Sequence, residues 1–255
     1  MSLLDDSLKD LAACLRFYSR LPLSGRWGGA GLPDFRALAV AGAVIGAGGA
    51  GALLAARVLG LPPLVAATLA IATLVALTGA LHEDGLADVA DGFGGGATRV
   101  RKLEIMRDSR LGSYGAAALG LSLMLRVFAL AALTERGLWG AALTLIAAAA
   151  VSRVAGLLPL LSLAPARADG AGATAQRPGR DALRLAFASA AALSLLPAFA
   201  GASLHLVAAG DFVAVLASLL ITRLAQRQIG GYTGDVLGAA QQASEIAFLL
   251  ALSAA

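Results

Sequence analysis

Apolar runs long enough to cross a bilayer recur along almost the whole chain, leaving only a few short segments where charged chemistry can sit. A hydrocarbon core of about 30 Å takes about 20 apolar residues to span, and candidate spans fall at 37–60, 62–81, 112–133, 138–161, 183–200, 212–229 and 236–255. Hydrophobic residues make up 58% of the sequence and charged residues 14%, where a soluble domain carries about a quarter charged. The expected fold is all-α: a polytopic integral membrane bundle of about seven transmembrane helices, forming one domain over 1–255. The count runs from six to eight, because Leu61-Pro62-Pro63 reads equally as a tight hairpin and the 230–235 connection is very short. Much of the apolar content is Ala and Gly, which lets helix backbones approach closely. Gly46-Ala-Gly48-Gly49-Ala-Gly51 has the letters GxGxxG but sits inside a span with no strand before it, so it reads as a helix-packing face.

Lys and Arg are unevenly distributed among the connections. Lys9, Arg16, Arg20, Arg26 and Arg36 precede the first span; Arg99, Arg101, Lys102, Arg107 and Arg110 follow the second; Arg167, Arg177, Arg180 and Arg184 follow the fourth. With seven alternating helices these segments share one side, which the excess of positive charge assigns to the cytosol. The N-terminus and the acidic segment are thus expected at the cytosolic face of a bacterial inner membrane. In the N-terminal segment, 1–36, the first residues, from Met1 to Arg20, lack the basic region, apolar core and cleavage site of a secretory signal. Instead Leu4, Leu8, Leu11 and Leu15 recur at helical spacing, as in a helix lying on the membrane surface or a short helix packed on the bundle end. Residues 164–180 read as a mobile loop, either lid or linker. The single cysteine, Cys14, permits no intrachain disulfide.

The apolar pattern breaks sharply at 82–110. Asp84, Asp88 and Asp91 follow His82 and Glu83 at i, i+4 and i+7, so a helix continuing from the second span would present all three on one face. Like charges so close call for a neutralising cation, and oxygen-only ligands favour magnesium or calcium. Glu104 and Asp108 are again i and i+4, with Arg107 and Arg110 interleaved. A second short helix could close an acidic cavity rimmed by guanidinium groups, a pairing that suits a metal and a phosphate. The glycines from Gly92 to Gly96 allow close backbone approach to an anion between them, or simply a turn. Solvated charges on a loop are the plainer alternative, but they have no reason to keep helical register beside a span.

A second constellation is Gly230-Gly-Tyr232-Thr233-Gly234-Asp235, followed by Gln241, Gln242 and Glu245. A Thr-Gly-Asp turn opening a helix can grip phosphate or complete a metal shell, unless Asp235 is only the helix cap. Arg153 and Arg223, placed towards the cytosolic ends of their spans, are candidate phosphate ligands; Arg126 lies deeper, and snorkelling is the plain reading for all three. No feature points to nucleic acid, lipid surrounds the bundle, and homo-oligomers are compatible with it.

These residues resemble a known family. His82-Glu-Asp-Gly-Leu-Ala-Asp-Val-Ala-Asp-Gly92, Leu103-Glu-Ile-Met-Arg-Asp-Ser-Arg110 and Gly231-Tyr-Thr-Gly-Asp-Val-Leu-Gly238 are similar, in type and order, to motifs of the cobalamin synthase (adenosylcobinamide-GDP ribazoletransferase) family. The FYSRLPL stretch from Phe17 resembles that family's N-terminal signature, with Ser19 in place of an expected Thr and Ser24 in place of an expected Pro. The resemblance implies magnesium-dependent attack of α-ribazole, or its 5′-phosphate, on adenosylcobinamide-GDP, with GMP leaving. Asp84, Asp88, Asp91, Glu104 and Asp108 would then hold the metal, with Asp108, Asp91 or Asp235 as proton acceptor and Arg107 in the catalytic set. Arg110, Arg153, Arg223, Thr233, Gly234 and Glu245 would bind substrate. Asp88-x-x-Asp91-Gly92 with Glu104 and Asp108 also looks like the carboxylate pattern of CDP-alcohol phosphotransferases, apart from a Glu for Asp and a different spacing. From another class, a cation-coupled transporter would put such a site near the bilayer midplane without interleaved Arg.

Overall fold

The computed structural model describes residues 3–23, 33–167 and 177–254. Its helices are α1 (Leu3–Tyr18), α2 (Leu38–Val58), α3 (Pro63–Thr78), α4 (Leu81–Gly95), α5 (Arg99–Ile105), α6 (Ser113–Arg136), α7 (Leu138–Ala155), α8 (Leu158–Ser162), α9 (Arg180–Ser194), α10 (Leu204–Ile229) and α11 (Gly234–Ser253). Among the described residues, six segments are long and apolar enough to cross a membrane: Leu38–Val58, Ser113–Arg136, Leu138–Ser162, Arg180–Ala200, Leu204–Ile229 and Gly234–Ser253. A seventh exists only as the pair α3 and α4, bent by 89°.

That bend corrects the expectation that the acidic helix runs straight on from the second span. Gly79 and Ala80 both adopt left-handed backbone, at φ 64° and 59°, and an alanine there carries about 1–2 kcal/mol of strain. The break is held by neighbours: the Leu77 carbonyl accepts the Arg20 N–H at 2.7 Å, and a Cβ on Gly79 would run into the Arg20 side chain.

Helix α7, continued by α8, is the centre of the bundle, with 83% of its apolar stretch buried, against 22% for α10. Its run Ala147–Ala150 is fully buried. Gly42 and Gly46 of α2 lie so close that a Cβ on either would come within 2.9 Å of an α7 Cα. Gly49 meets Leu74 of α3. The GxGxxG letters are thus a packing face up to Gly49, whereas Gly51 has open space. Phe212, Leu216 and Leu220 leave α10 with an apolar outer side suited to lipid.

Of the two readings of the N-terminal segment, packing on the bundle holds. Asp10, Ala13, Cys14 and Leu15 of α1 are buried while Leu8 points outward. The Asp10 carboxylate accepts the N–H groups of Asp34 at 2.7 Å and Ala37 at 2.9 Å, satisfying backbone donors at the start of α2. Arg26 and Ser24 lie outside the described residues, as does 168–176 of the supposed lid. The part of that loop that is described is pinned: Ala166 and Tyr232 exchange backbone hydrogen bonds with the neighbouring strand-like segments, Ala166 N–H to Tyr232 at 2.8 Å and Tyr232 N–H to Ala164 at 3.0 Å.

Candidate active site

Asp84, Asp88 and Asp91 all fall on α4, exposed, half-buried and buried in that order. The start of α11 crosses α4 at Gly85, where a Cβ would lie 2.9 Å from the Asp235 carbonyl oxygen and 3.0 Å from its Cα. Only glycine permits that approach, and it sets Asp235 beside the acidic face. Asp84, Asp235 and Asp91 are the negative neighbours of Asp88, with Arg167 the cation opposing them. Arg167 reaches the Asp235 carboxylate at 3.5 Å. The cap of α11 is Thr233, not Asp235: its hydroxyl oxygen accepts the Val236 N–H at 3.3 Å and its O–H lies 3.1 Å from the Asp235 carboxylate. Freed from capping, the Asp235 side chain faces the acidic helix.

The other carboxylates are engaged elsewhere. Asp91 accepts the N–H groups of Gly112 at 2.7 Å and Gly115 at 2.8 Å, so it caps the first turn of α6 from the side with both oxygens. Glu104 pairs with Arg101 at 3.1 Å on the exposed face of α5, and Asp108 pairs with Arg110 at 2.5 Å. The Arg110 guanidinium holds the Asp108 carboxyl down at about 2, which makes it a poor proton acceptor at neutral pH. Arg107 is exposed near this pair, and Arg223 is exposed on α10. The sequence grouped Glu104 and Asp108 with the α4 carboxylates; the structure does not bring all five together. Among the described residues no three acidic, His or Cys side chains close on a common point tightly enough to hold an ion. The donor set of Asp84, Asp88 and Asp235 still suits a hard cation, being oxygen-only and opposed by a single guanidinium.

Asp84 and Asp235 edge a cleft of about 190 Å³ where α1, α4, α7 and α11 meet. Its lining includes Phe17, Tyr18, Phe35, His82, Arg153 and Gln241. Tyr18 stacks on His82 with ring centroids 5.7 Å apart and planes 3° apart. The sequence placed Phe17 and Tyr18 in a family-like N-terminal stretch but gave them no part in the site, because nothing in their spacing distinguishes them from ordinary anchors of a surface helix.

Beside the cleft lies a buried ionic network. Arg126, 1% exposed, holds Glu83 at 2.9 Å and Glu245 at 3.2 Å. Gln242 donates to Glu83 at 3.3 Å, and Gln241 donates to Glu245 at 2.7 Å and to Ser152 at 2.9 Å. Arg126 therefore does not snorkel, and Glu245 is a partner of Arg126 within the network. Arg153 is buried as well, with one hydrogen bond, to the Ala149 carbonyl at 2.8 Å, and its Nε without a partner. The helical spacing of Gln241 and Glu245 on an apolar helix was the available signal for this cluster.

Fold and site define a multi-pass helical membrane protein with a carboxylate-edged cleft at one end of its bundle. Residues 10–253 match the cobalamin-5-phosphate synthase (CobS) family, and the chain belongs to it. It is 56% identical over 254 residues to the adenosylcobinamide-GDP ribazoletransferase of Azorhizobium caulinodans, covering 95% of this chain and 94% of that protein. The protein of the same name from Xanthobacter autotrophicus is 48% identical over 97% of this chain and 96% of its own length. That from Bradyrhizobium diazoefficiens is 49% identical over 86% and 82%. No solved structure matches. Family membership sets aside the CDP-alcohol phosphotransferase and transporter readings.

Proposed function

We propose that this chain joins adenosylcobinamide-GDP to α-ribazole, or its 5′-phosphate, producing adenosylcobalamin, or its 5′-phosphate, and GMP, at the cytosolic face of a bacterial inner membrane. The observation that carries the reading is the meeting of Asp84 and Asp235 at the edge of an aromatic-lined cleft, with Asp88 as their acidic neighbour, in a chain whose relatives are named for this reaction over nearly their full length.

In the reaction a ribose hydroxyl oxygen of the acceptor bonds to the phosphorus that bears the cobinamide. The bond from that phosphorus to the GMP oxygen breaks, and GMP leaves with the electron pair. Asp235 takes the hydroxyl proton, since Asp91 has both oxygens committed to backbone donors and Asp108 is held by Arg110. Arg167, 3.5 Å from the Asp235 carboxylate, would meet charge on the phosphoryl oxygens. Asp84 and Asp88 would hold magnesium, which when bound neutralises charge on the pyrophosphate and the leaving GMP.

The test is incubation of purified protein in lipid nanodiscs with adenosylcobinamide-GDP, α-ribazole and magnesium, following GMP. Turnover that stops on chelation and returns with magnesium is expected. No GMP from folded protein would overturn the proposal.

A further inference from the structure

We propose that the cleft between α1, α4, α7 and α11 seats the flat base of the acceptor nucleoside, the benzimidazole of α-ribazole. This rests on the function proposed above and assigns part of the molecule to one of its two substrates. The cleft, at about 190 Å³, is smaller than the roughly 300–1,000 Å³ that encloses a whole drug-sized ligand. It suits one bicyclic ring, not a corrin or a complete nucleotide. Its lining is dominated by Phe17, Tyr18, Phe35, Leu157 and Leu237, and rings stacked or packed edge to face against such walls bind planar heterocycles well.

Its polar complement is narrow. Arg153 lines the cleft at 5% exposure, and its Nε has no hydrogen-bond partner. A buried donor left unmade costs about 1–3 kcal/mol, so a ligand whose acceptor draws the Arg153 guanidinium round to it gains affinity. The charges around Arg153 already balance, with Glu83 and Glu245 against Arg126 and Arg153 itself. That balance favours a neutral acceptor over a phosphate. Benzimidazole offers one, the ring nitrogen not bonded to ribose. Guanine would instead need acceptors for its N1–H and amino group; the two carboxylates of the cleft are those the reaction uses, and the Gln241 amide oxygen already accepts from Gln242 at 3.0 Å. A base in this seat places its ribose at Asp84 and Asp235, which edge the same cleft.

The experiment first measures binding of α-ribazole to the purified protein with no corrinoid present. Saturable binding, not displaced by GMP, is expected. The riboside of dimethylindole, with C–H in place of the free ring nitrogen, should bind about tenfold more weakly. Leu237→Trp, which fills the cleft, and Phe17→Ala, which removes part of its wall, should each raise the KM for α-ribazole about tenfold while leaving the KM for adenosylcobinamide-GDP unmoved. Displacement by GMP, or a rise in the adenosylcobinamide-GDP KM instead, would assign the cleft to guanine and overturn the proposal. So would unchanged KM values for both substrates in stably folded variants. Wild-type protein that binds α-ribazole in this way but releases no GMP would remove the reaction and leave the seat standing.

Discussion

Single carboxylates in this protein differ in role because their partners differ. Asp235 stands beside two other acids, so Asp235→Asn should lower kcat for GMP release by about 10²–10⁴-fold with little change in the unfolding temperature. Asp91 makes the opposite prediction. As a cap, Asp91→Ala should cost about 0.5–2 kcal/mol in unfolding measurements, and Asp91→Asn, which keeps one acceptor oxygen but turns an amide donor towards the other backbone N–H, should cost part of that; loss of turnover in an Asp91→Asn protein that unfolds like the wild type would return it to the metal site. Asp108 is held at about 2, below the usual 3.8, by Arg110. Its ion pair therefore stabilises the fold above about pH 4 and is lost as pH falls through 2. Asp108→Asn should flatten the acid limb of unfolding temperature between pH 2 and 5 and lower neutral stability only slightly, since the pair it removes is exposed to solvent. The i, i+4, i+7 acids were legible as one helical face. What spacing could not say is which of them already has a partner, since Asp91 finds its donors 21 and 24 residues away.

At the scale of elements, the apolar runs located the spans because the hydrocarbon thickness fixes helix length. They missed the 89° turn between α3 and α4, since Gly79-Ala80 looks like any small-residue pair and the turn is held by Arg20, from a distant segment. The crossing of α4 and α11 depends on Gly85. Gly85→Ala should separate them, costing about 1–3 kcal/mol and lowering turnover with it, which parallel unfolding and GMP-release assays would show. The ionic network was also hidden, its members being scattered over α4, α6 and α11. Removing the central charge by Arg126→Met leaves two buried carboxylates unpaired, and a loss of about 3–5 kcal/mol is expected by thermal unfolding in detergent.

For the whole molecule, the orientation proposed from Lys and Arg can be read chemically. Cys14 is buried and its thiol is pushed up by that burial, so it should stay silent to an impermeant maleimide. Ser109→Cys should then label only from the cytosolic side of oriented vesicles, and Gly137→Cys only from the other. The order of synthesis gives the Glu83–Arg126–Glu245 cluster a further meaning. The ribosome delivers α4 and α6 well before α11, so Arg126 meets one carboxylate at first and Arg153 arrives with none to spare. An unbalanced guanidinium raises the free energy of insertion, by about 2.5–3.5 kcal/mol at a helix centre and by less in the last turn, where Arg153 sits. Glu245, Gln241 and Gln242 arrive on the same late helix as Asp235. Charge balance in the cluster and the full set of carboxylates proposed for the site are thus reached in one step, and a chain halted before α11 carries its incompleteness as surplus positive charge.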